Sequence, residues 1–309
     1  MYKMKQNKIS TFDVSSYLNK PTLFAKDYDI CHLSKSNDIV EWSLTYIDTL
    51  TYKELKNIHQ KAVILTTVID GLNENDMTSV IPEIILTDNP ERDFYLIVKE
   101  FFTEMESFSI HPSVILDTSS AVGVNVNIAE GCKIGKNVTI GDNTYIGKNV
   151  IINDNVSIGR SCYLKDSSII GSDSFNFIRE NNSYLYIPFF GELIIENDVW
   201  IGSKVIIEKP SLGKSYIKED VKIDDLVQIG ADCNIDKHTQ IAAGSILGRG
   251  VKIGSNCHLG INTLIKPNIQ VANNINTGIG AVVVSDLTES NTYIGNPAKI
   301  LNKVNKWQA

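Results

Sequence analysis

"CKIGKNVTIGDNTYIGKNVIINDNVSIGRSC" (residues 132–162) returns an aliphatic residue every six positions, usually followed by glycine or another small residue. A helix repeats every 3.6 residues and a simple strand every 2, so neither produces this spacing. Outward from this stretch, the series runs every sixth residue from Val122 to Ile170. It resumes at Ile195, Ile201 and Ile207, skips four extra residues, and continues from Ile217 to Val271. The position four residues after each aliphatic is again Val or a small residue, as at Val138, Val150, Val199 and Val227. Both positions therefore face an interior. The spacing predicts a parallel β-helix in which each short strand pairs with those above and below it and buries a column of Ile and Val. No single coil can bury its own core, which accounts for the length of the runs.

Composition is consistent with this. The 309 residues are 43% hydrophobic and 21% charged, with a formal charge of −7. That balance argues against bulk attraction to nucleic acid but allows a local basic patch for a phosphorylated small molecule. The N-terminal stretch has no apolar core of a secretory signal, and no apolar run approaches the ~18 residues of a membrane span, so a cytoplasmic location is expected. The five cysteines form no CxxC pair, which fits a reducing compartment and neither a disulfide framework nor a metal site. Cys132, Cys162, Cys233 and Cys257 each stand four residues after a repeat aliphatic, where a thiol serves as small apolar filler.

Two segments stand outside the repeat. Residues 1–107 carry no hexads. "KAVILTTV" (61–68) and "EIILTD" (83–88) read as buried strands, and "PERDFYLIVKEFFTEM" (90–105) as an amphipathic helix with Pro near its start. A small α/β domain is expected there, with a helical domain over 108–304 opened by "HPSVILDTSS" (111–120), and a tail at 305–309. Residues 172–192 interrupt the repeat with an aromatic-rich excursion that must leave through a corner. Such loops often bind ligands, though a flap covering a neighbouring subunit would look the same. Phe175, Asn176 and Phe177 are its substrate-binding candidates. A shorter insertion lies in "EKPSLGKS" (208–215).

The hexads resemble those of the hexapeptide-repeat acyltransferases, whose β-helix is left-handed with three hexads per coil. The resemblance covers about residues 108–304. A closer resemblance is to the UDP-3-O-acylglucosamine N-acyltransferases of lipid A biosynthesis. It is carried by "DNPERDFYLIVKEFF" (88–102), "IHPSV" (110–114), "GSDSFNFIRENNSYLYIPFFGELIIENDVWIG" (171–202) and "IKEDVKIDDLVQIGADCNI" (217–235), in that family's order. "TYIGNPAKIL" (292–301) is similar to the closing segment of CoA-dependent sugar acyltransferases. The resemblance implies a mainly β chain, a left-handed parallel β-helix preceded by a small α/β domain. It also implies a homotrimer with sites between adjacent helices and a metal-free reaction with acyl-CoA as co-substrate.

One departure is informative. Where that family has its catalytic His, "DDLVQIGADCNI" (224–235) has Ala231, and the second His is replaced by Asn268. Acyl transfer to an amine needs that amine neutral and the tetrahedral oxyanion stabilised. The similar acetyltransferases of nucleotide-linked 4-amino sugars keep a His at this place, so either no dedicated base acts, with the N-acyltransferase of the anthrose pathway as the family analogue, or another residue substitutes. Asp232, His258 and His238 are the substitutes considered, against solvated surface side chains. The resemblance places Trp42 and Tyr46 near a nucleotide base. It places Gly244, Arg249, Gly260, Lys266 and Lys299 near the cofactor, against corner-forming glycines and solubilising charges.

The expected activity is N-acyl transfer from acyl-CoA to a nucleotide-linked amino sugar, a dTDP-4-amino-4,6-dideoxyhexose. The alternatives are a UDP-3-O-acylglucosamine-type transferase using acyl carrier protein, an O-acyltransferase, which a missing base disfavours, and a non-catalytic sugar-nucleotide sensor.

Overall fold

The computed structural model describes residues 2–72, 80–105 and 109–301, so the tail at 305–309 lies outside the described residues. The chain divides into two compact units, residues 1–106 and 107–309.

In the larger unit each hexad supplies a two-residue strand ending on the inward aliphatic, such as Lys133–Ile134 and Tyr145–Ile146. Each strand pairs in parallel with the strand three hexads later, Ile134 with Ile152 and Ile146 with Leu164. The result is three sheets of nine, eight and ten strands, parallel throughout except for the last strand of the third. They are called here the first face (from Ile115–Leu116), the second (from Ala121–Val122) and the third (from Asn127–Ile128). Stacked coils are about 4.8 Å apart.

The local cause of the bend is a left-handed residue three places after each inward aliphatic. Asn137, Asn143, Asn149 and Asn155 have φ of 53°, 58°, 55° and 61°. Asn tolerates this region better than most residues and costs less there than a β-branched side chain. Its amide also bonds along the stack, Asn137 Nδ2 donating to Asn155 Oδ1 at 3.1 Å. Where glycine follows the aliphatic, the coils come very close. A Cβ on Gly141 would lie 2.6 Å from the carbonyl carbon of Gly159.

Inside, Ile128, Ile146, Leu164, Ile201 and Ile223 form one fully buried column. Each such side chain contributes roughly 1.5–3 kcal/mol. The four repeat cysteines are buried fillers with free thiols. Burial pushes the Cys162 thiol up to about 11 and that of Cys233 up to about 12, so neither is reactive near neutrality. The repeat runs further than an aliphatic search finds. Leu116 precedes Val122 in register, and Thr277 and Val283 follow Val271. Thr277 is polar yet buried because its hydroxyl pairs with that of Thr263 at 2.7 Å and accepts the Gly260 N–H at 3.0 Å.

Beyond Val283 the chain covers the open ends of all three sheets. Leu287 bridges to Val271 on the second face, and the Ala298 N–H donates to the Val282 carbonyl on the first at 2.8 Å. On the third face Thr292–Ile294 adds a parallel strand, and Lys299–Ile300 returns antiparallel along it.

The smaller unit is α/β. Four parallel strands, His32–Leu33, Ser43–Tyr46, Ala62–Thr66 and Glu83–Leu86, lie in that order. The helix Pro90–Phe101 starts at the Asn89 cap and buries Phe94 and Ile97 against Leu44, Val63, Leu65 and Ile85. It ends four residues sooner than the apolar pattern predicts. Thr103–Met105 instead pairs antiparallel with Tyr2–Met4, and that sheet pairing overrides helix propensity.

Candidate active site

The edge between the first and second faces differs from the other two. The chain leaves the first face at Ile169–Ser172 and regains the second only at Glu192–Ile195. One coil later it leaves at Ile206–Glu208 and returns at Lys214–Ile217, so both insertions emerge from this edge. The next coils turn tightly there, through Gly230–Cys233, Gly248–Val251 and Lys266–Ile269. Ala231 and Asn268 therefore lie along one edge two coils apart, linked through the coil between them. The Gly250 N–H donates to the Ala231 carbonyl, and the Asn268 N–H to that of Arg249, both at 2.8 Å.

The insertions pack on each other and on this edge. The N–H groups of Phe190 and Gly191 donate to the carbonyls of Ser211 (2.9 Å) and Pro210 (3.1 Å). Within the excursion, Phe177–Glu180 and Ser183–Tyr186 form a hairpin turned at Asn181, whose φ is 52°. Phe175 and Phe177 contact edge to face with centroids 5.0 Å apart, and Phe175 is 90% exposed. Asn176 is fixed at the hairpin base, its carbonyl accepting the Ile187 N–H at 3.0 Å. Lys209 is buried, with Nζ 3.4 Å from Asp173, and Asp173 also accepts the Tyr186 hydroxyl at 2.8 Å. That carboxylate pushes the Tyr186 phenol up.

Asp232 has φ 63° and its carboxylate is held by Arg249, Nε to Oδ2 at 2.6 Å. Arg249 also donates to Ser211 at 3.2 Å. The pairing commits this carboxylate to Arg249 and gives Arg249 a structural task besides any phosphate contact. Ala231 is fully buried, and its N–H donates to Glu208 Oε2 at 2.9 Å. Glu208 is a residue that the sequence did not single out. It stands directly after the inward Ile207, at a position that is Asp117, Gly135, Asn153, Gly171, Gly230, Gly248 or Lys266 in other coils of this edge. A carboxylate between Gly171 and Gly230 was the available signal.

The remaining candidates are dispersed. His258 is exposed on the third face, opposite this edge, with Nδ1 3.3 Å from Gln240 Oε1. One copy therefore does not bring Asp232 and His258 together. His238 stands at the edge between the second and third faces, 3.0 Å from Asp220. Gly244 and Gly260 lie at the edge between the third and first faces. Gly244 adopts φ 70°, and a Cβ on Gly260 would lie 2.6 Å from the Thr277 carbonyl oxygen, so the stacking itself requires both glycines. Lys266 is exposed at the first–second edge, and Lys299 is exposed on the returning strand.

In the α/β unit, Trp42 and Tyr46 stand at opposite ends of one strand. Trp42 packs edge to face on Tyr28, centroids 6.1 Å apart, under the Lys61 ammonium. Tyr46 lines a groove of about 640 Å³ with Phe94, Tyr95, Val98 and the segment 33–37. Partial burial, with Glu91 at 3.1 Å, pushes the Tyr46 phenol up. Among the described residues no group of His, Cys, Asp and Glu is arranged to hold a metal ion, and no helix is long and apolar enough to cross a membrane.

Residues 137–172 match the model of the bacterial transferase hexapeptide (six repeats) family. The chain is 42% identical over 186 residues to a UDP-3-O-acylglucosamine N-acyltransferase of Delftia acidovorans, covering 60% of this chain and 56% of that protein. It is 30% identical over 126 residues to the same-named protein of Herminiimonas arsenicoxydans, covering 41% and 36%. The matches thus span between about a third and somewhat over half of these relatives. The solved UDP-N-acetylglucosamine O-acyltransferase of Moraxella catarrhalis superposes with a TM-score of 0.57 at 23% identity, covering 62% of this chain and 73% of that one. The Acinetobacter baumannii structure superposes with 0.54 at 21%, with the same coverage. Both resemblances read from the sequence are borne out, and the fold is the left-handed parallel β-helix they implied.

Proposed function

We propose that this chain is an N-acyltransferase that moves an acyl group from a thioester to the amine of a nucleotide-linked amino sugar. The observation that carries this reading is the convergence on one edge of Ala231, Asn268 and the aromatic excursion. The amine attacks the thioester carbonyl, the C–N bond forms, and the C–S bond breaks to release a thiol. Backbone N–H groups of the corners serve the oxyanion. The donor is acyl-CoA, with Arg249, Lys266 and Lys299 as phosphate contacts. The acceptor is a dTDP-4-amino-4,6-dideoxyhexose, gripped by Phe175, Asn176 and Phe177. The α/β unit binds the base on Tyr46 and Tyr95 in their groove. Acyl carrier protein as donor and a UDP-3-O-acylglucosamine-type acceptor form the second reading, favoured by the names of the relatives. The reaction takes place in the cytoplasm, where thioester donors are made.

The assembly is a homotrimer. The outward column of the first face is mostly apolar, with Ile115, Ile151, Ile169, Ile206, Ile246 and Leu264 interrupted by Lys133 and Gln228, and Ile246 is 43% and Leu264 41% exposed. The second face is more mixed, with Thr139, Ser157, Asn234, Lys252 and Gln270 beside Ile194 and Tyr216. A flat apolar stripe of this kind needs a partner surface. Light scattering should report three times the 34.3 kDa chain mass; a monomer would remove the shared site.

A thiol-release assay pairing acyl-CoA donors with dTDP- and UDP-amino sugars tests the activity. Turnover with an amino sugar is expected. Tight nucleotide binding with no turnover on any amino sugar or donor would favour the sensor.

A further inference from the structure

We infer that Glu208 is the general base of this site, taking over from the absent imidazole; the inference rests on the acyl-transfer reading above. Glu208 Oε2 is anchored by the Ala231 N–H at 2.9 Å, so the carboxylate stands at the position that lacks the His. Its second oxygen, Oε1, accepts no hydrogen bond among the described residues, and the side chain is half-buried at the open edge. No other acid of this edge combines these properties. Asp232 is bound to Arg249 at 2.6 Å, and Asp173 is shared between Lys209 and Tyr186. The corner also favours the exchange on steric grounds. Ala231 offers only a methyl group, and the coils on either side carry Gly171 and Gly230 where Glu208 stands, leaving room for a carboxylate.

The step balances without any other reactant. A neutral amine adds to the thioester carbonyl, giving a tetrahedral adduct with a positively charged nitrogen. Oε1 accepts a proton from that nitrogen. The adduct collapses, the C–S bond breaks, and the proton passes from the Glu208 carboxyl to the leaving thiolate. An anchored carboxylate suffices because the adduct's N–H is far more acidic than the starting amine. The groups that bear on its titration are the Asp232–Arg249 pair, Lys209 with Asp173 and Tyr186, and the buried Cys233 thiol.

The test is Glu208→Gln in the full chain, assayed by thiol release with an acyl-CoA and the amino sugar that the wild type turns over. Gln keeps an oxygen for the Ala231 N–H but cannot accept the proton. The expected result is a kcat lower by about 100-fold or more, an unchanged KM for the sugar, and loss of the acid limb of the wild-type pH–kcat profile. A kcat within threefold of wild type with the acid limb intact would overturn the assignment. If the Gln variant does not fold, as judged by circular dichroism, Glu208→Asp replaces it. Reduced kcat with a displaced acid limb then supports the base, and wild-type behaviour overturns it. A wild type inert toward every amino sugar would instead refute the transferase reading, which keeps the two failures distinct.

Discussion

Two edges of the same prism are built from the same hexad and have diverged. The edge between the second and third faces turns at Asn125, Asn143, Ser161, Asp198, Asp220, His238, Asn256 and Asn274, all left-handed, with no insertion from first coil to last. The edge between the first and second faces begins with the same turns at Asn137 and Asn155. It then releases an aromatic hairpin and a second insertion, and resumes with Asp232, Gly250 and Asn268. The regular edge holds the solenoid together, so its residues are replaceable only by others that tolerate φ > 0. The irregular edge departs from the period at a cost that its neighbours offset, and such departures are where chemistry concentrates.

Excising the hairpin should separate the two edges most sharply. Replacing residues 173–191 with a four-residue corner is expected to leave the parallel sheets folded, by circular dichroism, while thiol release falls to background. A chain that no longer folds would mean that the hairpin supports the solenoid. Next in size, Ile223→Ala removes a fully buried column member common to all edges and should cost about 2–5 kcal/mol in chemical denaturation. On the regular edge, Asn143→Ala keeps φ near 58° without the amide that accepts from Asn125. It should cost about 1–2 kcal/mol and leave kcat unchanged at permissive temperature; a loss of activity without loss of stability would assign chemistry to this edge.

The fold was legible in the spacing of Ile and Val alone, since every third hexad returns to the same face. The irregular edge was only partly legible. Ala231 and Asn268 were found because they depart from a recognised pattern. Asp232 and His258 were considered together because sequence proximity to a motif says nothing about which of three faces a residue occupies. One hexad's shift rotates a side chain to another face, and His258 is on the face away from Asp232. Glu208 was missed because its partner is the backbone of a coil 23 residues further on. The same blindness grouped Trp42 with Tyr46, although the strand Ser43–Tyr46 holds them at its opposite ends.

The smallest expected effect concerns pH and again falls on the regular edge. Lys222 and then His238 hold the Asp220 carboxyl below the usual carboxylate range. A depressed carboxylate adds stability that is present above its unfolded-state value and lost as pH falls through the folded one. Asp220 is 44% exposed, so screening limits this to under about 1 kcal/mol. Asp220→Asn should therefore narrow the fall in melting midpoint between neutral and acidic pH by a few degrees at most. A larger change would show that this edge is electrostatically tuned like the other.

The covered far end of the prism governs how copies of the chain meet. A solenoid of parallel strands is in principle an open-ended polymer, since its last coil offers unpaired amides and carbonyls to any coil of the same shape. Here Leu287, Ala298 and the reversed strand Lys299–Ile300 occupy those groups, the last with the wrong polarity to template a parallel neighbour. Edge-to-edge stacking of a second solenoid on that end is thereby disfavoured, because the template it would need is already taken.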